Sequence, residues 1–386
     1  MKAAVTILAF CVAALLALGL VMLYSSSMVM VDQHTHAEVG ARMLQMQVVW
    51  CLLGIVACAV IATVDYEILK KLAWPVFAGT LLLAALVFVP HVGMKINGAR
   101  RWIHIPGASF QPSEIVKIGL IIMVAWYVDR SQRKMNTFVR GIIYPGLIIG
   151  LALGLVFIEP DRGTTILLAA VTGTMLFLAG VRWLHLIPVG VLGVAALAFS
   201  IFFLHDKMRT GRIEAWLHPQ GTESGVGRQA LEAKIAIGAG GLTGLGLGDG
   251  RQKLGFLSEG HSDFIFANIG EELGLAATGL VVIAFFLITV CGIYIAMNAR
   301  DQFGSQLAIG VTTLIGFQAV INIGVVTSLL PNKGLALPFI SSGGSSLLAM
   351  LIGVGILFSV ARRGVTMNVT AADFTEHDNP FAARAR

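Results

Sequence analysis

The segment Ser258-Glu259-Gly260-His261-Ser262-Asp263-Phe264-Ile265-Phe266 runs into Gly270-Glu271-Glu272-Leu273-Gly274, setting a carboxylate beside a histidine and then an apolar aromatic stretch. A carboxylate partly withdrawn from water has its pKa raised, which suits a general base taking a proton from a hydroxyl. Spacing supports a second reading equally: Ser262 or Asp263 caps the following helix, and Glu271 and Glu272 are solvated. His261 and Ser262 are adjacent and cannot easily face one another, so a Ser-His-Asp triad fits poorly.

Other polar groups stand in similar settings. Glu114 and Lys117 lie three residues apart in an otherwise apolar run, so on a helix they share a face and can pair. Ionisable groups there mark function unless they form a structural ion pair between helices. In Asn97-Gly98-Ala99-Arg100-Arg101-Trp102-Ile103, Trp102 reads as an interface anchor and Arg101 as a candidate bidentate phosphate ligand. Asp161, in Glu159-Pro160-Asp161-Arg162-Gly163-Thr164-Thr165, reads equally as a turn residue. Pro331-Asn332-Lys333-Gly334 leads into Ser341-Ser342-Gly343-Gly344-Ser345-Ser346. Backbone around Ser345 can offer N–H groups to an anion at a helix start, or simply let helices approach closely. Gln318 and Asn322 are expected to hydrogen-bond between helices.

The elements that position these groups follow from composition. The chain has 386 residues, 56% hydrophobic and 12% charged, with mean hydropathy +0.83. Soluble domains carry about a quarter charged residues. The apolar residues come in about ten runs, centred on 3–24, 46–64, 72–90, 111–128, 141–158, 164–181, 184–204, 269–297, 305–329 and 343–361. Each is near the roughly 20 residues that a bilayer requires. The predicted fold is therefore an all-α polytopic membrane protein of about ten transmembrane helices. The runs at 164–181 and 184–204 are joined so closely that they must form a tight hairpin.

Lys and Arg in the short loops place both termini in the cytoplasm. Lys2, Lys70, Lys71, Arg130, Arg133, Lys134, Arg140, Arg182, Arg300, Arg362 and Arg363 fall on one side. The net charge of +6 is thus a topology signal rather than a nucleic-acid patch. Residues 205–268 become one large outside loop between helices 7 and 8. Its glycine-rich part, 229–247, is expected to form an amphipathic helix at the outer interface. The run 244–248 lacks the strand that a nucleotide-binding glycine loop needs. The first run is longer than a signal peptide's core and has no cleavage site after it, so it reads as an uncleaved helix. Cys11, Cys51, Cys58 and Cys291 fall within spans and read as packing residues. Residues 1–363 form the transmembrane domain, and the polar tail 364–386 is expected to be cytoplasmic and disordered.

Five segments in this order, NGARRWI, QPSEIVK, EPDRGTT, QKLGFLSEGHSDFIFANIGEELG and INIGVVTSLLPNKGLALPFISSGGSS, resemble the SEDS family (shape, elongation, division, sporulation) over roughly residues 5–363. Lys333 and Gln252-Lys253-Leu254 resemble its division members, although sporulation members read alike. The resemblance implies a peptidoglycan glycosyltransferase that polymerises lipid II at the outer face of the bacterial cytoplasmic membrane. A class B penicillin-binding transpeptidase and other division membrane proteins would be its partners. By the same resemblance Asp263 is the essential aspartate and acts as base, while Arg101, Glu114, Lys117, Asp161, Lys333 and Ser345 bind substrate around one cavity. Arg101, Lys117 and Lys333 would stabilise the departing undecaprenyl pyrophosphate, and Glu114 would hold Lys117. A divalent cation (Mg or Mn) is compatible with that chemistry, though no carboxylate cluster demands one. The chain departs from the family at Glu159 and Arg162, where Q-P-D-L-G is common, and at Ser262 and Ser342. A lipid II flippase and a non-catalytic scaffold of the division machinery are the rival readings.

Overall fold

A chain inside a bilayer must satisfy every backbone N–H and C=O within itself, and so the apolar runs fold as helices. The computed structural model describes residues 1–27, 39–96, 99–105, 108–202, 216, 226–254 and 260–377. Asn97, Gly98, Ser258, Glu259, most of 205–225 in the long loop and the tail end 378–386 lie outside the described residues.

In chain order the helices begin with α1 (Lys2–Ser27), α2 (Val39–Thr63), the short α3 (Glu67–Lys71) and α4 (Ala73–Ala85). Strands β1 (Gly93–Ile96), β2 (Ala99–Ile105) and β3 (Ala108–Phe110) precede α5 (Pro112–Ser131). Then come α6 (Tyr144–Ile158) behind a π-helical lead-in, α7 (Arg162–Leu178), α8 (Trp183–Phe202) and α9 (Val226–Gly240). The chain closes with α10 (Ile265–Met297), α11 (Gln302–Val326) and α12 (Gly344–His377).

Each of the ten apolar runs contains a helix, and the chain is a multi-pass membrane protein. Among the described residues six helices are long and apolar enough to cross a bilayer: α1, α2, α6 with its lead-in, α10, α11 and α12. The stretches Ala73–Phe88 at α4, Arg162–Leu178 at α7 and Trp183–Ala196 within α8 are apolar but shorter. The charged run forms α5, which buries 14 of its 20 residues and stands at the centre against α4, α6, α7, α11 and α12. A central helix meets protein on all sides, so it can carry a paired charge that a lipid-facing helix could not. The turn between α7 and α8 is as short as predicted, yet α8 buries little. Its side chains from Leu184 to Val194 are largely exposed, as a lipid-facing surface can be. Helix α12 continues past its apolar run into the polar stretch beyond residue 364, as far as His377.

The hydropathy pattern did not anticipate the antiparallel sheet β1-β2-β3. Its strands are too short to register in a window tuned to helices, and β2 is marked only by its Trp102-Ile103-His104-Ile105 run. Gly93 faces Ile103, which on the other side faces Phe110, with a slip in register between Met94 and Lys95. This sheet delivers Arg101 to the end of the bundle that holds Asp263.

At the opposite end, charged loops tie the helices together. Lys70 pairs with Asp129 at 2.6 Å and Arg300 with Glu67 at 3.3 Å, and Arg363 pairs with Asp65. The buried Tyr66 hydroxyl donates to Asp301 at 3.1 Å. In the middle, Gly310 of α11 lets α5 and α7 close in: a Cβ there would stand 2.6 Å from Ile121 and 2.9 Å from Met175. Gly310→Val should therefore lower the unfolding midpoint of the detergent-solubilised protein, at a cost of about 1–3 kcal/mol. Gly146→Ala, with nothing within 4 Å, should leave it unchanged in the same thermal melt.

Candidate active site

Asp263 lies in the turn that leads into α10, with its side chain partly exposed. Phe264, rather than Asp263 or Ser262, stands at the N-cap position of α10, and its own side chain makes no capping hydrogen bond. Asn322 of α11 donates from Nδ2 to the carbonyls of Asp263 (2.8 Å) and Leu335 (2.7 Å). Ser341 Oγ donates to the Ser262 carbonyl (2.6 Å) and accepts the Leu337 N–H (2.7 Å). The Ser342 N–H reaches the His261 carbonyl at 3.1 Å. These bonds make the 260–264 turn and the 331–342 loop a single unit. Gly334 packs on the Asp263 carboxylate so closely that a Cβ there would stand 2.7 Å from Oδ2. Lys333, next in the chain, is half-buried. Burial first, and then the Arg162 guanidinium, lower its ammonium pKa.

One helical turn below Asn322, Gln318 donates to the Ala336 carbonyl (2.9 Å) and accepts from Lys117 Nζ (3.0 Å). Lys117 also pairs with Glu114 at 2.8 Å, as their spacing predicts. Both are buried, Lys117 at 0% exposure and Glu114 at 6%. Removing one partner from such a pair strands a charge, at about 3–5 kcal/mol.

The third group surrounds the turn between α6 and α7. Asp161 is the N-cap of α7: Oδ1 accepts the Thr164 N–H (3.1 Å) and Oδ2 the Thr164 hydroxyl (2.9 Å). Oδ2 also accepts from Gln111 Nε2 at 3.1 Å, so this turn residue has a long-range partner. The Gln111 N–H donates to Ser345 Oγ at 3.3 Å. Arg101 grips the same turn, with Nε donating to the Glu159 carbonyl (3.0 Å) and Nη2 to the Pro160 carbonyl. Its guanidinium thus shapes a turn rather than pointing outward. Glu159 is fully buried, and neither carboxylate oxygen has a hydrogen-bond partner. Desolvation, and next the charge of Asp161, push its pKa up from 4.5 to about 8, against a lowering by Arg101.

All seven residues singled out from the sequence therefore meet at one end of the bundle. They form two sets: Asp263, Lys333, Lys117 and Glu114 around α11 and the loop after it, and Arg101, Asp161 and Ser345 around the α6–α7 turn, where Gln111 joins Asp161 to Ser345 and Arg101 bonds two turn carbonyls. Gly163, at the start of α7, brings the two together: a Cβ there would stand 3.3 Å from Leu335. Sequence reasoning missed Gln47, whose amide brackets the Gly/Ser turn by donating to the Ser341 carbonyl (3.2 Å) and accepting the Gly343 N–H (3.2 Å). It also missed the roles of Gln111 and of Glu271 and Glu272, which are buried rather than solvated. The one available signal for Gln111 was its place before the helix-opening Pro112. Chemically, the arrangement offers a partly exposed carboxylate packed on Gly334, whose chain neighbour Lys333 is a half-buried cation. A carboxylate of that kind can take a proton.

A bundle of apolar helices with one set of buried carboxylates and cations at the end that holds Asp263 defines a multi-pass membrane protein with a polar site at that end. The chain belongs to the FtsW, RodA and SpoVE family of cell cycle proteins, whose family model matches residues 6–365. It is 41% identical over 355 residues to the probable peptidoglycan glycosyltransferase FtsW of Trichlorobacter lovleyi, covering 92% of both chains. To stage V sporulation protein E of Bacillus subtilis it is 37% identical, covering 90% of this chain and 94% of that one. Among solved structures it resembles a chain of a peptidoglycan synthase complex (TM-score 0.76, 29% identity, 92% of this chain and 97% of that one). It also resembles the rod shape determining protein RodA of Thermus thermophilus (TM-score 0.67, 28% identity, 92% and 95%).

A buried carboxyl whose pKa is raised holds a proton that the unfolded chain releases earlier, so the Glu159 carboxyl makes stability fall as pH rises from about 4.5 to about 8. Glu159→Gln should match the parent at pH 5 and exceed it at pH 9 by roughly 1–3 kcal/mol, read as melting temperature against pH in detergent.

Proposed function

We propose that this protein is the peptidoglycan glycosyltransferase of cell division, polymerising lipid II at the outer face of the bacterial cytoplasmic membrane with both of its own termini in the cytoplasm. The observation that carries the reading is the Asp263 carboxylate packed on Gly334, next to Lys333 and bonded through Asn322 to the same loop. The names of its relatives support it, among them a probable peptidoglycan glycosyltransferase and a sporulation protein.

In this mechanism an Asp263 oxygen takes the proton from the 4-hydroxyl of an acceptor GlcNAc. The freed oxygen attacks C1 of the donor MurNAc, and the bond from C1 to the pyrophosphate oxygen breaks as the new one forms. In-line displacement inverts the anomeric centre and yields the β-1,4 link, with undecaprenyl pyrophosphate leaving. Negative charge grows on that pyrophosphate, and we assign its stabilisation to Lys333, the chain neighbour of the glycine on which Asp263 packs. Lys117 is bonded to Glu114 and Gln318, and Arg101 to two carbonyls. Both would then hold the frame around Lys333 and Asp263. Among the described residues no group of three or more His, Cys, Asp or Glu is gathered to hold a metal ion. A class B penicillin-binding transpeptidase is the proposed partner; the related chain of known structure belongs to a complex that coordinates polymerization and crosslinking.

A carrier of lipid II would use the membrane-embedded pair Glu114–Lys117. That pair is buried and internally bonded, whereas the Asp263 side chain is partly exposed, which favours chemistry there. Purified Asp263→Ala given lipid II should lose polymerisation by roughly a hundredfold to ten-thousandfold while keeping the parent's melting temperature. Full polymerisation by that folded variant would sink the assignment. Gly334→Ala, which pushes a methyl against Oδ2, should lower turnover in the same gel assay without abolishing it.

A further inference from the structure

Helix α10 is broken at Gly274, whose φ of 74° and ψ of −172° are not helical. The break isolates a short first half, 265–273, directly behind Asp263. It also frees backbone groups, and residues 241–246 supply their partners. Leu245 and Gly246 donate to the carbonyls of Glu271 and Glu272 (both 3.0 Å). Leu275 and Ala276 donate to the carbonyls of Gly241 (2.9 Å) and Leu242 (3.2 Å). The fit requires glycine at 244, where φ is +83° and a Cβ would stand 2.2 Å from the Glu272 carbonyl oxygen.

Two side chains add a second layer to this splice. Glu271 Oε1 accepts the N–H groups of Arg251 (2.8 Å) and Gln252 (3.2 Å). Glu272 accepts from the Gly248 N–H (2.9 Å), the Ser25 hydroxyl (2.7 Å) and Lys253 Nζ (2.8 Å), and Lys253 also donates to Ser25 at 2.9 Å. The Lys253 and Glu272 side chains are only 5% and 1% exposed. A buried ion pair contributes little net stability against an apolar replacement, so its retention calls for another role. Glu271 binds only the adjoining loop. Glu272 reaches further, joining the first half of α10 to α1 at the edge of the bundle.

We propose that Glu272, with Lys253 and Ser25, is a positioning residue for Asp263. The reading rests on Asp263 being the base. The half-helix is a rigid rod pinned at both ends: Asn322 and Ser341 hold the Asp263 end, and the Glu272 cluster holds the other, about 13 Å away along the axis. With the Glu272 tie to α1 released, that end is held only by the 241–246 backbone bonds and Glu271, and any shift of the rod carries the carboxylate relative to Gly334. A displacement of about 1 Å can cost up to roughly a hundredfold in rate.

The test uses the full-length protein with lipid II as substrate. Lys253→Gln combined with Glu272→Gln keeps hydrogen-bonding groups and leaves no orphan charge, so it serves beside Glu272→Gln alone. Both should lower kcat by about tenfold or more with KM within about twofold, and Lys253→Arg, which keeps the charge pair, should hold kcat near the parent's. An unchanged kcat, or losses that only follow a collapsed melting temperature, would overturn the proposal. A second readout does not depend on chemistry at Asp263: Asp263→Cys labelled with a water-soluble maleimide. The double variant should change that labelling rate several-fold, and an equal rate would overturn the positioning role. An active Asp263→Ala would remove the base assignment alone and leave the labelling result to judge the pin.

Discussion

Two side-chain amides one turn apart on α11, Gln318 and Asn322, hold the mouth of this bundle together. The loop from Pro331 to Ser342 is irregular, and its carbonyls cannot be left unbonded among apolar helices. Asn322 takes those of Leu335 and Asp263, and Gln318 takes that of Ala336. Gln318 has its carbonyl oxygen left for Lys117, and Lys117 has Glu114. The buried ion pair, the irregular loop and the approach of Asp263 to Gly334 are thus consequences of one requirement, that buried polar groups find partners. An apolar residue at either amide position would orphan several groups at once.

The same requirement governs the other irregular parts. The break in α10 is tolerated because residues 241–246 bond both of its loose ends. The turn between α6 and α7 is closed by Asp161 as a cap and by Arg101 across two carbonyls. Glu159 is the ionisable exception of most consequence. It is fully buried, and neither of its carboxylate oxygens has a hydrogen-bond partner. The fold carries it by keeping it protonated at neutral pH, which an amide would not require.

Function follows from where these irregularities cluster. They lie at one end of the bundle, whereas the other end is closed by exchange of ion pairs among loops. The proposed substrate is itself a lipid, so it would arrive sideways from the bilayer and meet Asp263 at that mouth. The membrane would then be part of the catalytic design, setting the depth at which a hydroxyl, a carboxylate and a pyrophosphate meet.

Much of this was legible in the chain itself. Helices are dictated by long apolar runs because no other structure satisfies the backbone in lipid, and Glu114 and Lys117 pair because three residues apart is one helical face. The candidate residues were likewise visible as polar groups where polar groups are costly. Their relations were not. The proximity of Gly334 to Asp263, the grip of Arg101 on a turn nearly sixty residues away, and the burial of Glu271 and Glu272 rest on contacts between distant segments. Spacing cannot encode such contacts. The short sheet and the break at Gly274 escaped for a related reason, because a hydropathy window reads length and polarity but not backbone angle. Sequence fixed which residues must find partners in a medium without water; only tertiary packing decided which partners they found.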